Sequence, residues 1–257
     1  MSGDLLVAVE GPLLRVTINR PEKRNPLSRG VLTQIRDSFV RHAGNAQLSL
    51  AVVQGAGDKS FAAGGDLKEF MQIRELADAE ALFDIGFSAL DAIRRFPVPV
   101  VAALNGLAVG GGAELGVACD VRVAAPHARI GFVQGTLNIS TGWGGGLDLM
   151  AHVGVARAVT LLGGARILEA AEALAIGLVE AVAPEGTPFA EFVEHFIEPF
   201  LRQRPQVMRA FKAQAIAARF GTPRAEADAA DRRHFALTWC HDDHWRAVDR
   251  LLSREQR

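Results

Sequence analysis

Residues 105–120 read NGLAVGGGAELGVACD and follow the apolar run PVPVVAAL at 97–104. The run reads as a buried strand, and Gly110, Gly111 and Gly112 as a tight turn. Glu114 then falls in the first turn of a helix. Glycines leave the backbone uncovered, so their amides can approach a ligand closely. The first amides of a helix have no intrahelical partner and lie at the positive end of its dipole. The stretch therefore describes a place to hold an oxyanion, with an acid or base one turn away.

Strands and helices alternate on the N-terminal side of this stretch. Short β-branched segments at 5–9 and 13–18 flank Gly11-Pro12 and predict a hairpin. Ser28 is placed to cap a helix to about residue 42, with Val31, Leu32, Ile35 and Phe39 at helical spacing. A strand is expected at 48–54. Asp66 follows the glycine pair Gly64-Gly65 and reads as a helix cap. A long helix at 78–95 then leads to the strand at 97–104, and further short strands are expected at 121–124 and 130–133. Alternation of this kind predicts a mainly parallel α/β core. Two glycine-rich strand-to-helix turns, at 62–66 and 110–114, can bring two backbone donors to one point. That is an oxyanion hole.

Beyond residue 144 the chain changes character. Helices are expected at 145–152, 155–163, 169–175, 188–202, 205–219, 223–237 and 241–253, with only 178–182 extended. Phe189, Phe192, Phe196 and Phe200 form one helical stripe that suits a core or subunit contact. No internal repeat is evident.

Composition narrows the class. The chain has 257 residues, is 49% hydrophobic and carries a formal net charge of −1, which gives no electrostatic case for nucleic acid. No signal peptide or membrane span is read, and two cysteines suit a reducing compartment, so a cytoplasmic protein is expected. His241 and His244 lie three apart without further ligands at useful spacing, so no metal site is read. Gly110–Gly116 loosely imitates a dinucleotide-binding fingerprint. Its spacing is wrong, and no acid ends the following strand to read a ribose.

The motifs, in order, carry a resemblance. NRPEKRNPLS at 19–28, SFAAGGDLKE at 60–69, the 105–120 stretch, GWGG at 142–145 and AAEALAIGLV at 170–179 together resemble the crotonase (enoyl-CoA hydratase/isomerase) superfamily over roughly residues 5–185. The resemblance implies an α/β fold with a ββα spiral core at 1–185 and a C-terminal helical region at 186–257 used in forming a homotrimer or a dimer of trimers. It implies acyl-CoA thioesters as ligands and no cofactor, coenzyme A being part of the substrate. The oxyanion donors fall on the amides of Gly65 and Gly111. Substrate contacts are expected from Arg24, Ala63, Gly64, Asp66, Leu67, Thr136, Thr141 and Trp143.

One feature departs from the family pattern. Hydratases of the family carry a second glutamate, which aligns here with Gln134, and no acid lies between Asp120 and Asp148. Glu114 and Gln134 are thus the expected catalytic pair, and an amide cannot serve as a general base near neutral pH. The expectation is a lyase acting through a thioester enolate, with decarboxylation of a short malonyl-type CoA ahead of hydration of a 2-enoyl-CoA. The turn around Trp143 and the Thr238-Trp239 segment are similar to the ethylmalonyl-CoA decarboxylase branch. A catalytically silent acyl-CoA binder is the third reading.

Overall fold

The computed structural model describes residues 3–255. An antiparallel hairpin, β1 (Leu5–Glu10) and β2 (Leu13–Ile18), leads into α1 (Arg29–His42). Ser28 caps α1 as expected, its hydroxyl accepting from Val31 N at 3.2 Å. Val31, Leu32, Ile35 and Phe39 are all buried.

Three successive turns of chain follow, each made of two strands and then helix. The first is β3 (Leu50–Gly55), β4 (Ser60–Ala62), α2 (Leu67–Phe70) and α3 (Leu76–Arg94). The second is β5 (Val100–Leu104), β6 (Leu107–Val109) and α4 (Gly111–Ala118). The third is β7 (Val121–Ala124), β8 (Arg129–Gly131), a 3-10 turn (Gln134–Leu137), α5 (Gly145–Val153) and α6 (Val155–Gly164). The first strand of each turn enters one sheet and the second strand enters another. The chain continues through β9 (Ile167–Glu169), α7 (Ala170–Ala175) and β10 (Ala181–Val182). It ends with α8 (Phe189–Leu201), α9 (Pro205–Arg219), α10 (Arg224–Trp239) and α11 (Asp242–Glu255).

The result is a six-stranded sheet in the order β1-β2-β3-β5-β7-β10 and a four-stranded sheet in the order β4-β6-β8-β9. Only the β1–β2 and β8–β9 pairs are antiparallel. This is the ββα spiral implied by the family resemblance. Its corners are held by two buried asparagines. Asn105 accepts from Gly55 N and donates to Gly57 O, while Asn25 donates to Ala56 O and Ser60 O. Gly106 is required there, because a Cβ would overlap the Lys59 backbone.

The main core lies between the sheets and helices α1, α3, α4 and α5, and includes Phe39 packed edge-on to Phe96. A second core forms where Val193 and Ile197 of α8 cover the outer face of the six-stranded sheet. Phe189, Phe192, Phe196 and Phe200 pack beside them, so that stripe belongs to the core. Helix bounds from Gly145 onward agree with expectation to within two residues.

Four expectations need correction. The strand expected at 97–104 begins at Val100, after the two prolines. The extended segment expected at 178–182 contributes only Ala181 and Val182, because Leu178 N bonds back to Ala173 O and closes α7. Asp66 precedes α2 but makes no side-chain cap. Its carboxylate instead accepts from Arg20 Nη1 at 3.0 Å, a charged donor that outcompetes a backbone amide. The strands β4, β6 and β9, three residues each, were not anticipated.

Candidate active site

The C-terminal ends of β4 and β6 meet through glycine. Gly64 has φ +92, and a Cβ there would stand 3.1 Å from Val109 O and 3.7 Å from Gly111 N. At the start of α4, a Cβ on Gly112 would collide with Ala62 O. The two turns can touch only because both lack side chains.

That contact leaves two amides free of the ladders. Leu27 pairs with Gly65 in a parallel bridge through Leu27 N to Gly64 O and Asp66 N to Leu27 O, so Gly65 N is not used by the pairing. In α4 the first intrahelical donor is Glu114 N, which bonds to Gly110 O at 3.1 Å, so Gly111 N lies ahead of it. Both glycines line one cavity of about 410 Å³, together with Glu114, Gln134 and Trp143.

Glu114 is 2% exposed, and its carboxylate is wrapped by four donors. Oε1 accepts from Gln134 Nε2 at 2.8 Å and Gly142 N at 3.2 Å, and Oε2 from Trp143 N and Gly145 N at 2.9 Å each. Four donors match the acceptor capacity of a carboxylate. Its charge is therefore balanced by oriented dipoles. A Cβ on Gly145 would collide with the Glu114 side chain, which explains the glycine.

The Gln134 amide has only one sensible orientation. A carboxylate can only accept, so the NH2 end faces Glu114. The other end, Oε1, is buried without a partner. Position 134 therefore presents an acceptor amide beside Glu114, where the resemblance implied an acid.

The turn that carries Trp143 is anchored from behind by Arg94 of α3. Its Nη2 donates to Trp143 O at 2.6 Å and its Nε to Asp148 Oδ2 at 2.8 Å. Burial pushes the Asp148 carboxyl above its usual range, and the charges of Arg94 and Arg219 oppose that rise. Phe87 lies under the guanidinium at 5.5 Å.

Ala63, Gly64 and Leu67, named as substrate contacts from the resemblance, line the cavity. Asp66, Thr136 and Thr141 do not. Asp66 pairs with Arg20, and the Thr136 hydroxyl donates to Val133 O at 2.7 Å. Thr141 packs against Gly146. Arg24 lines a different cavity, of about 440 Å³, with Lys59, His127, Arg129 and one acid, Asp58. That cavity sits where β4, β6 and β8 begin, whereas the glycine amides sit where those strands end. Three strand residues separate the two, a span of roughly 10 Å. Arg24, Lys59 and Arg129 have no carboxylate partner among the described residues. Arg24 and Asn25 both hold positive φ, locked by the Asn25 side chain.

Sequence reasoning missed Arg94 behind the turn, and Lys59 and Arg129 beside Arg24. Lys59 lies immediately before the unanticipated strand β4, and Arg129 opens β8 some 70 residues later, a separation that hid their convergence. Cys119 is fully buried, and burial with nearby Asp120 pushes its thiol up to about 12, so it is no nucleophile at neutral pH.

Comparison with known proteins accords with this arrangement. The sequence model of the Enoyl-CoA hydratase/isomerase family matches residues 9–256, helical tail included. The chain is 37% identical over 183 residues to crotonyl-CoA hydratase of Syntrophomonas wolfei, covering 71% of this chain and 70% of that protein. It is 31% identical over 206 residues to ethylmalonyl-CoA decarboxylase of Pongo abelii, covering 79% and 68%. The crystal structure of enoyl-CoA hydratase from Bacillus anthracis superposes with a TM-score of 0.90 at 28% identity, covering 98% of this chain and 97% of that one. With the spiral core and the matched family model together, this chain belongs to the enoyl-CoA hydratase/isomerase family of the crotonase superfamily and is an acyl-CoA-processing enzyme.

Proposed function

We propose that the protein is a lyase that decarboxylates a short malonyl-type CoA thioester. The thioester oxygen is held by the amides of Gly65 and Gly111. The bond between the α-carbon and the carboxylate breaks, carbon dioxide leaves, and the electron pair moves onto the thioester oxygen as an enolate. Two backbone donors stabilise that charge. The α-carbon then takes a proton from water.

One observation carries this choice over hydration. Among the described residues Glu114 is the one carboxylate lining the cavity, its four acceptor directions are taken, and Gln134 is its neighbour. Hydration calls for a carboxylate that activates water. Decarboxylation needs no base, because the leaving carbon dioxide supplies the electron pair. The apolar walls formed by Leu67, Phe70 and Phe83 favour loss of a charged group over its retention.

Hydration of a 2-enoyl-CoA is the second reading, favoured by relatives named crotonyl-CoA hydratase and enoyl-CoA hydratase. Under either reading the cationic cavity of Arg24, Lys59 and Arg129 suits the phosphates of coenzyme A. A homotrimer is proposed as the working assembly, since α10 buries no residue in the single chain and exposes Phe235 and Trp239. Among the described residues no helix is long and apolar enough to cross a membrane.

Parallel incubation with methylmalonyl-CoA, ethylmalonyl-CoA and crotonyl-CoA tests the proposal. Carbon dioxide release from a malonyl-type ester with little crotonyl-CoA hydration is the expected result. Fast crotonyl-CoA hydration without carbon dioxide would reverse the order, and thioester binding without turnover would favour a silent binder.

A further inference from the structure

Trp143 is pinned on every side. Its indole lies across two glycines from different helices. A Cβ on Gly86 of α3 would overlap the five-membered ring edge, and a Cβ on Gly111 of α4 would overlap the six-membered ring. The backbone N–H of Trp143 donates to Glu114 Oε2 at 2.9 Å, and its backbone carbonyl accepts from Arg94 Nη2 at 2.6 Å. The ring is 7% exposed, although it lines the cavity.

Position gives this ring a consequence. Gly111 carries one of the proposed thioester donors, so an acyl group bound there starts within van der Waals reach of the indole. Among the lining residues that carry side chains, Trp143, Glu114 and Gln134 are buried, whereas Leu67, Phe83, Leu137 and Ile139 are exposed at the mouth. An exposed side chain can move aside for a longer ligand. An indole packed across two glycines, on a backbone held at its N–H by a carboxylate and at its carbonyl by a guanidinium, cannot.

We infer that Trp143 closes the inner end of the acyl pocket and restricts the protein to short acyl chains. Gly86 and Gly111 are the residues that make room for this wall. The inference rests on the reading of the ligand as an acyl-CoA, but not on which reaction follows.

Calorimetric titration with butyryl-CoA and octanoyl-CoA, neither of which carries the carboxylate or double bond needed for turnover, separates the two levels. Trp143→Ala should tighten octanoyl-CoA by about tenfold or more relative to wild type, the scale of adding room for methylenes in an apolar pocket. Butyryl-CoA affinity should change by about threefold or less, since its four carbons fit the space the indole leaves and gain little from more room. Trp143→Phe should fall between. Circular dichroism and melting curves establish that the variants fold, and the phenylalanine variant serves if the alanine variant does not. Unchanged discrimination in a folded variant would overturn the role of Trp143 alone. Absence of binding of either ester to wild type would overturn the acyl-CoA reading itself.

Discussion

Glu114 Oε1 accepts the Gln134 amide at 2.8 Å, so the buried carboxylate in the cavity faces an amide rather than a second acid. A pair of carboxylates here would share a proton and could pass it to a substrate. A carboxylate facing an amide holds its charge in place and leaves the amide oxygen idle.

Replacing Gln134 with glutamate should create the missing pair. Two carboxylates at hydrogen-bond distance cannot both ionise without penalty, so one proton is shared and its pKa is raised. A raised acid in the folded state stabilises at low pH and loses that contribution as pH rises. Relative to wild type, Gln134→Glu should therefore melt progressively lower from pH 5 to pH 8. Carbon dioxide release should drop by about tenfold or more, and crotonyl-CoA hydration should appear or rise, on the scale of general acid-base catalysis. Coupled assays of both activities and melting curves across pH check these outcomes.

Glu114→Gln probes the same contact from the other side. A glutamine offers one oxygen where the glutamate offers two, and its NH2 would face amide donors in either orientation. At least one buried N–H of the 142–145 turn loses its acceptor, at a cost of about 2 kcal/mol. Urea denaturation should register that loss, and turnover should fall with it as the turn beside Gly111 loosens. Full stability in the variant would mean that the turn is held by other means.

How much of this was legible in the chain follows from which atoms make the contacts. Helices announced themselves because their apolar faces repeat over many residues, as Val31, Leu32, Ile35 and Phe39 do in α1. Strands β4, β6 and β9 have three residues each, too few for a period to register. Gly65, Gly111 and Glu114 stood out because glycine runs and an acid in a first helical turn are rare in combination. The clamp on Glu114 did not, since three of its four donors are backbone amides some 30 residues away. Arg94 reads in sequence as an ordinary charge at a helix end beside Arg95. Only the fold shows that one is buried and the other exposed. The three spiral turns repeat in structure without repeating in sequence, because each is built around a different set of contacts.

Arg94→Met should uncouple that turn from α3. The variant leaves Asp148, 6% exposed, without its closest charged partner, and breaking a buried pair in this way costs about 3 kcal/mol. Arg219, 3.9 Å away, offsets part of the loss. Adding Asp148→Asn should restore part of the stability, since a neutral amide tolerates the site better than an unpaired carboxylate. A double-mutant cycle by urea denaturation measures the coupling, and additive losses would show that the two side chains act independently.

His152 should contribute a separate acid sensitivity. Its ring faces the Arg122 guanidinium, with Nη1 3.2 Å from Nε2 and Nη2 3.4 Å from Nδ1, and Nε2 also lies 3.1 Å from Val117 O; a guanidinium can only donate, so the ring beside it is neutral. Burial first, and the Arg122 charge second, depress its pKa from 6.5 to about 4. Below pH 6.5 the unfolded chain takes up a proton that the folded one refuses until about pH 4, so stability falls as pH falls through that window. The contribution lost is about 3 kcal/mol by the linkage relation. His152→Gln should be less stable than wild type at pH 7.5, where the packed imidazole is lost. It should then show a shallower decline from pH 6.5 to 4, so the two stability curves converge. Parallel slopes in urea-denaturation series across that range would show that His152 titrates normally and that the acid response has another source.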